Sequence, residues 1–161
     1  MSIKNIIFDF GGVIYDIDIP AAARAFRKLG ITDFEQKFTV FTEANIFDKL
    51  ETGHLTPGEF RDEFRRISEL DVSDKALDEA WNALLIGFRK ERIKLIGQVK
   101  KQYNVFLLSN SNIIHYRQYR QEFEDQFGYK TFDELFQQAF FSFEVGQRNR
   151  LTRKISGPEK Q

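Results

Sequence analysis

Asp9 ends a short apolar run, Ile6-Ile7-Phe8, and is followed by Phe10, Gly11 and Gly12 before the chain turns apolar again at Val13-Ile14. A carboxylate is almost never fully buried unless it is paired or binds a metal, so Asp9 is expected where the run meets solvent. Two glycines beyond it allow a sharp turn and a close approach of backbone to ligand. In that setting Asp9 is a candidate nucleophile or metal ligand, or else an Asp that simply caps a turn. A second polar cluster, Ser109-Asn110-Ser111-Asn112, follows another apolar run, Val105-Phe106-Leu107-Leu108. Hydroxyls and backbone N–H groups at a strand-to-helix junction can bind an anion, and they can equally form a plain helix cap.

These residues need a frame that brings them together. Ile6–Ile14 reads as a strand buried on both faces, as in a parallel sheet, and so does Val105–Leu108. A third strand is expected at Phe140-Phe141-Ser142-Phe143. Helices are expected between them. One starts at Pro20 and ends at Gly30; a second covers Phe34 to Leu50 and stops near Gly53. Thr56-Pro57-Gly58-Glu59 carries a helix start, with Thr as N-cap, Pro in the first turn and Glu completing a capping box. Ser73 opens a helix through Leu77, Trp81, Leu84 and Leu85, and further helices are expected over Glu91–Tyr103, Ile113–Phe127 and Phe132–Gln138. Strands alternating with helices make an α/β fold with a Rossmann-like parallel sheet, in which ligands collect at the carboxyl ends of strands. Asp9 and Ser109 are then expected side by side. The stretch between the first strand and the fifth helix reads as a helical insertion. The stripe Phe38, Phe41, Phe60, Phe64 and Trp81 is read as its core in preference to a ligand box.

The bulk properties narrow the partners. Lys plus Arg (24) balance Asp plus Glu (24), which argues against nucleic acid or an anionic membrane. No cysteine is present, so thiol nucleophiles, thiolate metal sites and disulfides are excluded. The N-terminus has no basic region followed by a long apolar stretch, and no segment is apolar enough to span a bilayer. A cytoplasmic protein is the expectation. The 161 residues, 42% of them hydrophobic and 18 of them Phe, suit one domain or a core with a small insertion. His54 and His115 are read as surface or helix-end residues. Arg117, Arg120, Arg148, Arg150, Arg153 and Lys154 are read as a solvated face, with Arg148 the exception held open.

Phe8-Asp9-Phe10-Gly11-Gly12-Val13, Leu107-Leu108-Ser109-Asn110-Ser111-Asn112 and Ser142-Phe143-Glu144-Val145-Gly146 together resemble the haloacid dehalogenase-like (HAD) hydrolase superfamily. Within it the chain is most similar to the small sugar-phosphate phosphatases with a helical cap. The resemblance covers residues 3 to about 148, including Leu50-Glu51-Thr52-Gly53. It implies a core over residues 1–16 and 89–148, a cap over 17–88 and a tail over 149–161 that departs from the family pattern. It also implies that Asp9 attacks phosphorus and forms an aspartyl-phosphate. Ser109, Asn110 and Gly12 would bind the phosphoryl group, and Asp9 with the Gly11 carbonyl would hold Mg2+. The implied partner is a small phosphate ester, with sugar phosphates among the candidates. The cap would exclude water and select the leaving group.

Three positions depart from the pattern. Gly11 stands where most members carry a second Asp as general acid/base, a group typically worth ~10²–10⁴-fold. Asn149 stands where a lysine is expected, just after Arg148. The chain reaches Gln161 before an acidic motif that would complete the Mg2+ ligands, and a truncated, inactive chain is one expectation from this. Two other readings fit the same residues: a metal-independent 2-haloacid dehalogenase using the same Asp9, and a non-catalytic interaction domain.

Overall fold

The computed structural model describes residues 3–31 and 34–149. The expected tail lies outside these residues except for Asn149, as do Arg150, Arg153 and Lys154.

β1 (Asn5–Phe8), β4 (Asn104–Ser109) and β5 (Gln138–Phe141) form a parallel sheet in the order β1-β4-β5. Phe8 pairs with Leu107 and Ser109 with Phe141. Asp9 and Ser109 therefore leave the sheet at the same end, and the Rossmann-like α/β frame holds.

β4 is reached through α6 (Lys90–Val99), and β5 through α7 (Ile113–Phe127) and a 3-10 turn at Phe132–Glu134. Val105, Leu107 and Phe141 point from one sheet face into a core with Phe10, Tyr119 and Phe123. The sheet is not buried on both faces, as its apolar runs suggested. Ile7 is 64% exposed, and with Phe106, Leu108 and Phe140 it lines a shallow groove on the opposite face. No described element covers that face.

The first motif departs from a continuous strand. β1 stops at Phe8, and a tight turn follows in which the Phe10 carbonyl accepts from the N–H groups of Val13, Ile14 and Tyr15 at 3.2, 2.8 and 3.0 Å. Tyr15–Ile17 (β2) then pairs antiparallel with Leu85–Phe88 (β3), Tyr15 opposite Phe88. Leu85 was expected in a helix. That helix, α5 (Asp74–Asn82), ends earlier, and Leu85-Ile86-Gly87-Phe88 is a short apolar run that serves as a strand once β2 offers an edge.

Five helices lie between the two strands of this ribbon: α1 (Ile19–Lys28), α2 (Phe34–Glu43), α3 (Ile46–Glu51), α4 (Pro57–Ser68) and α5. They enclose a second apolar cluster built on Phe26, Phe41, Leu50, Phe60, Phe64 and Leu77, joined by Ile114 of α7. The capping box of α4 forms as its sequence implies: the Glu59 N–H donates to Thr56 Oγ1 at 3.2 Å, and the Thr56 N–H donates to the Glu59 carboxylate at 2.8 Å. The expected single helix from Phe34 to Leu50 is broken. Asn45 takes a left-handed conformation (φ 57°), which Asn tolerates because its short polar side chain can bond locally. The third strand begins at Gln138, and Ser142–Val145 (α8) is a helical turn instead of strand. Pairing starts early because the Gln137 N–H already donates to the Val105 carbonyl at 2.8 Å. Helix α6 also ends at Val99, short of Tyr103, and Phe132–Gln138 supplies only the 3-10 turn.

Candidate active site

Asp9 sits half-buried directly beyond β1, where its Oδ1 accepts from the Phe10 N–H at 2.7 Å. Burial pushes its carboxyl up from the usual value, and the backbone hydrogen bond pulls the other way. Gly12 holds a positive φ of 76°, and its N–H donates to the Tyr15 carbonyl at 2.8 Å. The Gly12 N–H is thereby engaged within the turn. Gly11 is exposed beside Asp9.

The polar cluster after β4 divides its labour. Ser109 is 2% exposed at the strand end. The Asn110 side chain reaches the Asn149 backbone, accepting from its N–H at 2.7 Å and donating to its carbonyl at 3.0 Å. Ser111 is locked by Ser142, whose hydroxyl accepts from the Ser111 N–H and donates to the Ser111 carbonyl, both at 3.0 Å. The Tyr119 hydroxyl donates to Ser111 Oγ at 2.8 Å. Asn112 caps α7, its Oδ1 accepting from the N–H groups of Ile114 and His115 at 3.0 Å each. Three side chains of the four thus build the junction, and Ser109 stands buried at the end of β4.

A cavity of about 690 Å3 opens between this strand end and the helices. Gly11, Ser109 and Asn110 line its floor, while Phe26, Phe38 and Trp81 form much of its wall. Asp9 is not one of the lining residues; it adjoins them through Phe10 and Gly11. The aromatic stripe is split by this arrangement. Phe41, Phe60 and Phe64 are core at 2% exposure or less, whereas Phe38, 44% exposed, and Trp81 face the cavity.

Arg148 is not part of a solvated face. It pairs with Asp48, and its Nε lies 3.2 Å from Glu51 Oε2, both carboxylates on α3. Burial raises the Glu51 carboxyl above its ordinary range; Arg148 opposes that shift and Asp48 adds to it. Gly53 (φ 70°) lies against the same strand-end region: a Cβ there would stand 2.5 Å from the Phe143 carbonyl oxygen. The α3 end is therefore held to the loop after β5 by charge and by backbone contact.

His115 lies in the first turn of α7, at a helix end as expected. It is buried, not at the surface: its ring stacks on Trp81 at 5.0 Å between centroids, and its Nδ1 lies 2.7 Å from Asn82 Oδ1. Burial pulls its pKa down to about 3, so it is neutral at ordinary pH. The signal was its spacing: His115, Tyr119 and Phe123 recur every four residues on one face of α7 and are all buried. His54 is exposed, with Thr52 Oγ1 2.7 Å from its Nδ1.

Among the described residues no group of three or more His, Cys, Asp or Glu side chains could hold a metal ion. Asp9 and the Gly11 carbonyl are hard oxygen donors, which suits Mg2+ in kind. Mg2+ commonly takes one or two carboxylates and fills its octahedron with water and substrate phosphate. Among the described residues no helix is long and apolar enough to cross a membrane.

No protein-family model matches the chain. Over 110 residues it is 37% identical to a D-ribitol-5-phosphate phosphatase of Bacteroides thetaiotaomicron, a match covering 68% of this chain. The chain spans about half the length of that curated relative, 53%. Its fold superposes on a HAD family enzyme of the same organism with a TM-score of 0.82 and 31% identity, covering 97% of this chain and 78% of the other. A second structure, of a HAD family enzyme in complex with magnesium and inorganic phosphate, gives a TM-score of 0.80 at 30% identity over 96% and 78% of the two chains. A predicted HAD-like family hydrolase of Porphyromonas gingivalis shares the fold at 24% identity, with a TM-score of 0.78 over 98% and 78% of the chains. With this frame, this order of motifs and these relatives, the chain belongs to the HAD family.

Proposed function

We propose that this chain carries the chemistry of a phosphohydrolase acting on a small phosphorylated sugar or polyol, with Asp9 as nucleophile and Ser109 as the phosphoryl-binding hydroxyl. The observation that carries the reading is the parallel register of β1 on β4, Phe8 beside Leu107, with Asp9 and Ser109 following at one strand end beside the cavity. The similar proteins support it, one named for ribitol 5-phosphate and one complexed with magnesium and phosphate. The cap is assigned to 17–88 and the core to 1–16 and 89–148, with the cavity at their junction.

In this reaction an Asp9 carboxylate oxygen bonds to phosphorus as the ester P–O bond breaks, and the leaving alkoxide takes a proton from water, since Gly11 offers none. Water then attacks phosphorus, the bond to Asp9 breaks and phosphate leaves. Ser109 and the backbone N–H of Asn110 hold the phosphoryl oxygens. The apolar wall keeps bulk water out, which strengthens each charge interaction inside. Asp9 and the Gly11 carbonyl would hold Mg2+, which when bound neutralises charge between carboxylate and phosphate.

The test is phosphate release from ribitol 5-phosphate by the purified chain, with and without EDTA. EDTA-sensitive release supports the proposal. Halide release from a 2-haloacid without metal would support the dehalogenase reading instead. Absence of any turnover, with a mass that rises with concentration, would support an interaction domain.

A further inference from the structure

The cavity wall is apolar where it meets solvent. Ile17, Ile19 and Phe38 all line the cavity and all are exposed, Ile19 at 69% the most. Ile19 opens α1 directly after Asp18, and the Phe38 ring is supported by a stack on Phe47 at 5.5 Å between centroids. Leu84 and Leu85 continue the same wall. The polar side chains around them are already engaged inside the protein. The Tyr15 hydroxyl donates to Glu122 at 2.7 Å, and Arg24 is paired with Asp18 at 2.6 Å. His115 is held by Asn82, Glu51 is paired with Arg148, and the indole N–H of Trp81 is sealed within the packing. Exposed apolar side chains scattered singly need no explanation, but a group of them lining one cavity beside a strand end marks a ligand surface.

We propose that this wall is a subsite for an apolar leaving group, with Ile19 and Phe38 as specificity-determining residues, so that alkyl and aryl phosphate monoesters are further substrates; this rests on the phosphohydrolase reading above. The chemistry is that of the proposed reaction: the ester P–O bond breaks, one water is consumed, and the alcohol and phosphate leave. Only the alcohol differs. A volume of about 690 Å3 lies in the range that takes a drug-sized ligand, more than a short polyol fills. Each methylene buried against such a wall tightens binding by up to about fourfold. The Phe38 ring can also meet an aryl group in an offset or edge-on contact.

The experiment titrates the full chain, in the presence of Mg2+, with inorganic phosphate and with methyl-, propyl- and pentylphosphonate, whose P–C bond the reaction cannot break. Calorimetry should show affinity rising about twofold to fourfold per added methylene. Inorganic phosphate should displace pentylphosphonate, and the native chain should release phosphate from pentyl phosphate. Phe38→Ser and Ile19→Ser should each flatten the rise with chain length while inorganic phosphate binds unchanged. Affinities independent of chain length, a rise that neither variant moves, or pentylphosphonate that phosphate does not displace overturns the inference and leaves the phosphohydrolase reading standing. Release of phosphate from ribitol 5-phosphate but not from pentyl phosphate does the same. A native chain that binds neither phosphate nor any phosphonate overturns both.

Discussion

Asn110 and Asn149 hold each other through two hydrogen bonds, the Asn149 N–H to Asn110 Oδ1 at 2.7 Å and Asn110 Nδ2 to the Asn149 carbonyl at 3.0 Å. Both bonds use the Asn149 backbone and so do not themselves depend on its side chain. Position 149 is thereby tied to the residue next to Ser109, at the edge of the proposed phosphate site. This is where the family resemblance expects a lysine.

Asn149→Lys should therefore keep these two backbone bonds and add a cation near the phosphoryl group. Inorganic phosphate should bind about tenfold more tightly, since hydrogen bonds to charged groups contribute about 1.5–3 kcal/mol. Asn110→Ala should release the loop and cancel that gain. Calorimetric titration with phosphate and Mg2+ checks both; equal affinity in all three chains would mean that position 149 does not face the phosphate.

Acid should destabilise the fold through His115. Its folded pKa, about 3, lies below the ordinary 6.5, so between these values the unfolded chain binds a proton that the folded chain refuses. The contribution is complete above pH 6.5 and is lost as pH falls toward 3, at a slope of at most about 1.4 kcal/mol per pH unit. His115→Phe keeps the stack on Trp81 and removes the proton. Urea melts from pH 7 to pH 4 should show a shallower acid loss in this variant than in the native chain.

Gly53→Ala should destabilise the fold. The site combines a left-handed φ of 70° with a Cβ position 2.5 Å from the Phe143 carbonyl oxygen. Strain at such a residue and displacement of backbone together should lower unfolding free energy by more than about 1 kcal/mol. A denaturant midpoint equal to that of the native chain would contradict the close contact between the end of α3 and the strand-end region.

The parts of the site set by local chemistry were legible in the sequence, and those set by packing were not. Asp9 and Ser109 each end a short apolar run, and parallel pairing of such runs brings their ends together. The Thr56–Glu59 capping box lies within four residues and needs no tertiary context. The β2–β3 ribbon was missed because its partners are three and four residues long and separated by five helices, so neither carries a readable period. Glu51 and Trp81 look like ordinary helix residues until α3 and α5 are brought to the cavity wall. Asn110 read as an N–H donor from its place after Ser109; that its side chain also holds the Asn149 backbone, a partner 39 residues away, was not legible. The exposed Ile7 face shows the opposite failing: its pattern asks for cover that no described residue supplies.

Reductive trapping at position 9 tests the central claim most directly. The chain is incubated with ribitol 5-phosphate and Mg2+, quenched with borohydride and digested, and peptide masses are read for conversion of an aspartyl-phosphate to homoserine. The account predicts homoserine at Asp9 and nowhere else, and none in the Asp9→Asn variant. Phosphate release without modification of Asp9, or a label on another carboxylate, would contradict it.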